Sequence, residues 1–199
     1  MRRLVLKMSM SIDGFVAGPN GETEWMMRGR GEAGKAWVAE TIAEAGLHAV
    51  GRKTFLGWAR YWPTSTDMLA QAMNDVPKVV FTRQASLDTL EAAGGEAAIH
   101  ATPAAASWAQ AEVANGDLAT EIDRLKHEPG KDILVCGGVE FAQSLARLGL
   151  IDEYRLVVHP VALGAGLALF AGLANPLDVK LMSSTSFPSG VTAQVYQPA

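Results

Sequence analysis

Apolar runs and turn residues alternate along the chain at intervals that predict an α/β fold. Residues 3–11 (RLVLKMSMS) form a mostly apolar run typical of a buried first strand. Three glycines and a proline follow within SIDGFVAGPNGE (11–22), the composition of a ligand-facing loop. Apolar positions then recur at helical spacing between Gly34 and Ala45, and Gly46 is placed to end that helix.

The middle of the chain continues this alternation. Residues 47–51 predict a strand, and Arg52 begins a short helix that breaks near the Trp62-Pro63 pair. Residues 77–82 (PKVVFT) predict a further β-branched strand with proline at its entry. The alanine-rich stretch that follows lacks helical periodicity, so it predicts only short elements, including a strand at 97–100.

The last third of the chain changes from alternating elements to consecutive strands. Asp117 is the predicted N-cap of a helix, and a strand, two glycines and another helix follow. After Asp152, strands are predicted at 154–159, 179–185 and 191–196. We therefore predict one α/β domain over 1–199, with a mixed, mostly parallel central sheet and a C-terminal antiparallel hairpin.

Composition and charge narrow the class of protein. A length of 199 residues, 49% of them hydrophobic, suits a single domain with a substantial core. The net charge of -4 and the scattered Lys and Arg argue against a nucleic-acid surface, so a small molecule is the expected partner. No apolar run approaches the roughly 20 residues that span a bilayer, so no membrane contact is expected. The start MRRLVLK turns polar at Ser9, which predicts a cytoplasmic protein without a secretory segment.

Two turns have the character of nucleotide sites. In ILVCGGVE (133–140) a strand runs into Gly137 and Gly138 and then directly into a helix, so bare backbone meets a helix N-terminus that favours anions. The turn Gly51-Arg52-Lys53-Thr54 offers the same arrangement upstream. The chain's one G-x-G-x-x-G, at residues 29–34, follows no predicted strand, so a Rossmann site is not expected; its four histidines are not spaced as metal ligands, so no metal is predicted. Two such turns in one short chain predict a cofactor enzyme.

Four motifs, MSIDGFVAG, GRKTF, VVFTR and VCGGVEF in this order, resemble the dihydrofolate reductase-like superfamily. More specifically, they resemble its branch that contains the reductase (RibD C-terminal) domain of bacterial riboflavin biosynthesis and its uncharacterised relatives. The terminal SSTSFPSGVTAQVY hairpin is similar to that branch as well. The resemblance covers nearly the whole chain and implies a dihydrofolate reductase-like three-layer fold.

The resemblance also implies NADPH as cofactor. GRKT would bind the pyrophosphate at a helix N-terminus, and Thr82 with Arg83 would bind the adenosine 2′-phosphate. The glycine pair would place backbone amides against the cofactor, and this fold associates the pair with an unusual cis peptide. On the residues alone, GRKT also fits a solvated basic pair beside an ordinary helix cap, and Arg83 fits an exposed arginine that closes a strand. The glycine pair also fits a plain tight turn. The expected cofactor-binding residues are Ala17, Gly51, Arg52, Lys53, Thr54, Thr82, Arg83, Cys136, Gly137, Gly138, Val139 and Glu140.

Asp13 is the expected catalytic residue, because the resemblance places the first loop beside cofactor and substrate. As a proton donor it needs a raised pKa, through burial beside Phe15 or Trp25, whereas an ordinary Asp-Gly turn is the alternative. Cys136, with no adjoining histidine or cation, fits a small buried residue better than a nucleophile. The expected substrate-binding residues are Asp13, Phe15, Trp25 and His159.

These expectations describe an NADPH-dependent reductase of a small planar heterocycle or carbonyl-type substrate, resembling 5-amino-6-(5-phosphoribosylamino)uracil reductase. The deaminase signature H-x-E with P-C-x-x-C is absent, which favours a free-standing relative with another substrate. The alternatives are a non-catalytic NADP-binding sensor or scaffold, and a true dihydrofolate reductase. The last is disfavoured because Glu40 and Glu44 lie on the opposite face of their helix from Trp37. A homodimer through the late strands is also suggested, and the apolar run 157–170 fits either an interface or core.

Overall fold

The computed structural model describes residues 1–27, 31–84 and 106–199. Its backbone divides into two compact units: unit 1 is Met1–Arg2 with Val38–Leu134, and unit 2 is Arg3–Trp37 with Val135–Ala199. The strands are β1 (Leu4–Ser11), β2 (Phe15–Ala17), β3 (Leu47–Gly51), β4 (Lys78–Phe81), β5 (Glu112–Ala114), β6 (Ile133–Val135), β7 (Glu153–His159), β8 (Leu167–Ala168), β9 (Val179–Ser186) and β10 (Thr192–Pro198). The helices are α1 (Gly31–Ala43), α2 (Arg52–Tyr61), α3 (Ala70–Asp75), α4 (Ala106–Ala109), α5 (Leu118–His127) and α6 (Val139–Arg147), with 3-10 turns at Glu24–Met26 and Trp62–Thr64.

Unit 1 contains a parallel group of strands in which β3 pairs with β4 and β6, and β4 also pairs with β5. The first four residues of β3 and the first three of β4 are all buried, as expected for parallel strands covered on both faces. The register places Gly51 opposite Phe81, so β3 and β4 end together. The turns that follow these two strands therefore leave the same edge of the sheet.

Unit 2 combines parallel and antiparallel pairing. Strand β1 runs parallel to β7, which pairs antiparallel with β10, and β10 forms the antiparallel hairpin with β9. The register places Ser11 opposite His159, so β1 and β7 also end together. A separate two-stranded sheet, β2 with β8, joins the first loop to the loop after β7.

The predicted fold class is confirmed. Every strand and helix predicted within the described ranges is present, with boundaries shifted by up to three residues; α1, for example, begins at Gly31. The strand predicted at 97–100 lies outside the described residues. The prediction missed β2, β8 and α3 and did not place α4 and β5 within the stretch where it expected only short elements; all five are short and have weak periodicity. Whether 1–199 form a single domain stays a prediction.

Two local expectations are corrected by the backbone. The described residues contain no cis peptide bond, so the cis peptide expected at the glycine pair is wrong; Gly138 instead turns with a φ of 78°. Gly46 does not end its helix, which stops at Ala43. A Cβ on Gly46 would lie 2.9 Å from backbone atoms of Lys131, so close chain approach explains this glycine.

Candidate cofactor and substrate sites

In unit 1, the turn after β3 leads directly into α2. Gly51 is the N-cap of α2 with extended backbone (φ -73°, ψ 147°), and no side chain caps the helix. The first amides of α2 therefore remain available to an anion, with the positive end of the helix dipole behind them. Arg52 and Lys53 add cationic side chains and Thr54 adds a hydroxyl. This turn has the components of a phosphate site.

Thr82 and Arg83 follow β4 at the same sheet edge, because β3 and β4 end together. The Thr82 amide donates to the carbonyl of Ala114 at 3.1 Å, and its hydroxyl oxygen accepts a hydrogen bond from the amide of Gln84 at 3.1 Å. These bonds fix the turn and leave Arg83 exposed. Unit 1 thus brings together all six of its predicted cofactor residues at one edge.

In unit 2, the turn after β6 leads into α6 in the same manner. Gly138 is the N-cap of α6, again without a side-chain cap, and its positive φ requires glycine. Gly137 is buried, and Glu140 lies in the first helical turn. Loss of solvation around the sulfur raises the pKa of the Cys136 thiol to about 11, although nearby Lys7 lowers it in part. Cys136 is therefore expected to be a neutral thiol near neutral pH, and its side chain is partly rather than fully buried.

Helix α5 shows how the chain caps a helix that has no expected ligand. Its N-cap Asp117 accepts a hydrogen bond from the amide of Thr120 at 3.0 Å. Helices α2 and α6 begin instead at glycines without any side-chain cap. The residues present thus fit phosphate or another anionic cofactor group at each of these two turns.

The first loop of unit 2 is organised around Ser11 and Asp13. The Ser11 hydroxyl donates to an Asp13 carboxylate oxygen at 2.5 Å and accepts from the amide of Phe15 at 3.0 Å. The other Asp13 oxygen accepts from the amides of Leu163 at 3.1 Å and Gly164 at 2.8 Å. Asp13 therefore joins the first loop to the loop that follows β7.

These contacts set the protonation state of Asp13. The hydrogen bond from Ser11 lowers the pKa of the Asp13 carboxyl below its ordinary value, and the Gly164 amide lowers it further. The side chain is also exposed rather than buried beside Phe15 or Trp25. The raised pKa that a proton donor needs is therefore absent, because donors surround the ionised form.

Trp25 and His159 form an aromatic pair at the end of β7. Their ring centroids are 5.4 Å apart in an edge-to-face arrangement. The indole Nε1 donates to the carbonyl of Glu22 at 3.1 Å, which fixes the ring. Because Ser11 and His159 are register partners, unit 2 places this pair at the sheet edge where the first loop begins.

Ala17 belongs to β2 and is held by its pairing with Leu167. The chain at Gly166 passes so close to it that a Cβ there would lie 2.2 Å from the Ala17 carbonyl oxygen. The sequence prediction missed three partners of this region: Ser11, Leu163 and Gly164. Ser11 could have been recognised from the sequence, because a serine two residues before an Asp-Gly turn is a ready hydrogen-bond partner. The amides of Leu163 and Gly164 come from remote residues, so no local pattern points to them.

Comparison with known protein families shows which family this chain belongs to. The sequence profile of the RibD C-terminal domain matches residues 2–193. The chain belongs to the RibD C-terminal domain family. The uncharacterised protein YyaP of Bacillus subtilis (strain 168) is similar to this chain, with 30% identity over 201 residues that cover 98% of this chain and 94% of YyaP.

Solved structures share this RibD-like fold over the full chain. A pyrimidine reductase-like protein from Corynebacterium diphtheriae matches with a TM-score of 0.67 and 14% identity, covering 100% of this chain and 92% of that one. A diaminohydroxyphosphoribosylaminopyrimidine deaminase/5-amino-6-(5-phosphoribosylamino)uracil reductase from Thermotoga maritima matches with a TM-score of 0.66 and 18% identity. It is covered over 57% of its length, and this chain over 100%. The predicted family and fold are confirmed.

Proposed function

We propose that this protein is an NADPH-dependent reductase of a small planar heterocycle or carbonyl-type substrate, acting in the cytoplasm. The match to the RibD C-terminal domain over residues 2–193 carries the proposal. A relative of the same fold is named as 5-amino-6-(5-phosphoribosylamino)uracil reductase, which indicates the class of substrate. When bound, NADPH would supply the hydride.

The cofactor proposal is supported by the two uncapped glycine-to-helix turns. In unit 1, the first amides of α2 with Arg52 and Lys53 would bind phosphate, and Arg83 would add a bidentate contact to a 2′-phosphate. In unit 2, the turn at Gly137 and Gly138 would present backbone amides of α6. Each turn offers donors that are already fixed in place, so little ordering is needed on binding.

On the substrate side, Phe15, Trp25 and His159 would hold a flat ring at the end of β7. Trp25 and His159 pack edge-to-face and are only 8% and 1% exposed, so the half-buried Phe15 would make the more accessible contact. Asp13 borders this region as a carboxylate, and its lowered pKa argues against the role of proton donor. The chain's own contribution is therefore orientation of the reactants.

Folate reduction is less well supported. A folate pocket of the dihydrofolate reductase type needs an acid on the first helix, and both acids of α1, Glu32 and Glu40, are exposed, as is Glu44 beyond its end. The buried positions of this helix are Gly34, Val38, Thr41 and Ile42, which carry no carboxylate. Tight binding of methotrexate would reverse this conclusion.

The reductase proposal is tested by calorimetric titration with NADPH and NADH, and by loss of NADPH absorbance with candidate pyrimidinones, pterins and quinones. We expect Arg83→Gln to weaken NADPH binding about tenfold and to leave NADH binding unchanged, because only NADPH carries the 2′-phosphate. Arg60→Gln, at the far end of α2, is the matched control and should change neither. Binding without oxidation of NADPH would favour the sensor or scaffold, and absence of binding would contradict both.

We also propose that the protein forms a homodimer through β9. All eight residues of this strand are exposed, and it pairs with β10 alone within the described residues. Val179, Leu181 and Met182 are 40%, 51% and 48% exposed. Within the apolar run 157–170, Val157 and Leu169 belong to the core at 1% and 0% exposed, whereas Leu167 and Phe170 are 38% and 36% exposed. An edge strand with apolar side chains favours antiparallel pairing with its own copy about a two-fold axis.

A further inference from the structure

The loop of residues 161–169, here named the return loop, is tied at its start to the first loop. The amide of Ile12 donates to the carbonyl of Val161 at 2.9 Å. The Asp13 carboxylate then accepts from the amides of Leu163 and Gly164. Gly164 has a φ of 73°, and this turn aims two successive amides at one carboxylate. Charge-assisted bonds of this kind are stronger than neutral ones.

The end of the return loop is tied to α6. The Gln143 side-chain amide donates to the carbonyl of Ala168 at 2.7 Å. Beside it, the Leu169 amide donates to the carbonyl of Gly14 at 3.2 Å, and the Leu169 side chain is fully buried. Gln143 lies about one turn from Gly138, the N-cap of the same helix.

The return loop thus connects two regions that the proposed function uses. One is the first loop, which carries Phe15 and Ala17, and the other is α6, which begins at the glycine pair. All of these contacts lie inside unit 2. The link is short and made of directional hydrogen bonds at both ends.

We propose that Asp13 and Gln143 are positioning residues that clamp the return loop from its two ends and hold the first loop in register with the N-terminal turn of α6. The clamp itself is independent of any activity. Only its kinetic consequence rests on the proposed reductase function, and the two are therefore measured separately.

The clamp is tested by amide hydrogen exchange of the intact protein. Asp13→Ala should raise the exchange rates of the Leu163 and Gly164 amides about fivefold or more, because their acceptor is lost. Gln143→Ala should raise the exchange rate of the Leu169 amide, because the Ala168 carbonyl in the same peptide unit loses its hydrogen bond from Gln143. Asp117→Ala removes an equally exposed capping carboxylate from α5 and should leave the return loop unchanged. Unchanged exchange at residues 163 and 164 in Asp13→Ala would overturn the proposal, whatever the protein's activity.

A second variant, Asp13→Asn, is the control for loss of folding. Asp13→Asn keeps the size of the side chain and one carbonyl oxygen, so exchange at 163 and 164 should fall between that of the wild type and that of Asp13→Ala. An Asn variant that exchanges as fast as the Ala variant, with both folded by circular dichroism, would also contradict the clamp. The graded response separates a lost acceptor from general destabilisation.

The kinetic arm uses oxidation of NADPH with any acceptor that the wild type turns over. Each single variant should lower kcat by a larger factor than it raises the KM for NADPH. The factor by which kcat falls in the double variant should be smaller than the product of the two single factors, because both residues hold one loop. The pH dependence of kcat should keep its shape in Asp13→Asn. Loss of an acidic or basic limb in that variant would identify Asp13 as a proton-transfer group and overturn the positioning role. Failure of the wild type to bind or oxidise NADPH would count against the reductase alone, since the exchange measurement decides the clamp.

Discussion

Lys78 and His48 are two bases buried next to each other at the start of β4 and β3, where they are register partners. Lys78 is 3% exposed, and its Nζ donates to the Ser107 hydroxyl at 2.6 Å and lies 4.2 Å from the centre of the Trp108 ring. His48 is 1% exposed, and its ring nitrogens find no hydrogen-bond acceptor or donor among the described residues. Burial favours the uncharged form of both bases. They should therefore control how stability depends on pH.

Stability should rise with pH above neutrality because of Lys78. Burial lowers its pKa from 10.5 to about 7, although Asp75 raises it in part. Between these two values the unfolded chain binds a proton that the native protein has released, so the free energy of unfolding increases with pH. Lys78→Met should flatten this slope and leave a more stable protein at pH 7. Urea titrations from about pH 7 to about pH 10 measure how the free energy of unfolding changes with pH. If this pH dependence is unchanged in the variant, Lys78 is not the group responsible.

His48 should make the protein sensitive to acid. Burial lowers its pKa from 6.5 to about 3, with a smaller effect from Lys78. Below about pH 6.5 the unfolded chain takes up a proton that the native protein cannot, so stability falls until about pH 3. His48→Phe should remove this loss and stabilise the protein more at pH 5 than at pH 8. His127→Gln, at an exposed site on α5, is the control and should retain the wild-type acid response.

At the level of helices and strands, glycines mark both tight contacts and weak points. Gly166 allows β8 to pass close to the Ala17 carbonyl of β2, and a Cβ there would overlap it. Gly57 lies inside α2, where an added Cβ would meet no atom within 4 Å outside the backbone of the helix itself. The same residue type thus serves packing in one element and weakens another.

Gly166→Ala and Gly57→Ala should consequently have opposite effects. We expect Gly166→Ala to lower the free energy of unfolding by about 1–3 kcal/mol, because backbone must shift to relieve the overlap. Gly57→Ala should raise it by about 0.5–1 kcal/mol through better helix propensity. Chemical denaturation of the two variants beside the wild type checks both signs. The φ of 156° at Gly166 adds to the cost of the substitution there, and a Gly166→Ala variant as stable as the wild type would contradict the prediction.

Helix starts are largely predictable from local sequence. Asp117 is recognisable as a cap because Asp in that position satisfies a free amide with its own side chain. Gly51 and Gly138 are recognisable because glycine before a helix leaves those amides open. The short strands β2 and β8 are not, since two or three residues cannot show a period and their pairing comes from distant sequence.

For the whole molecule, the exposed β9 strand makes a prediction about assembly. Leu181→Lys places a charge within the proposed interface and should shift sedimentation from dimer towards monomer, because like charges would face each other across the two-fold axis. Asp123→Lys, at an exposed position on α5, adds the same charged side chain away from β9 and should leave the assembly unchanged. A wild type that sediments as a monomer at all concentrations would rule out the dimer.

In the described part of the chain, no helix is long and apolar enough to cross a membrane. The family match likewise spans almost the entire sequence.

The family, the order of the longer strands and helices, and the two glycine turns all follow from the chain's own residue pattern, because periodicity, capping residues and glycine before a helix act over a few neighbouring residues. The role of Asp13, in contrast, emerges only in the folded protein. Its lowered pKa comes first from the Ser11 hydroxyl and then from the amides of Gly164 and Leu163, which lie some 150 residues along the chain. The same holds for Lys78 and His48, whose pKa values follow from burial at a strand pair. Local patterns fix elements, whereas solvation and long-range hydrogen bonds exist only once the chain has folded.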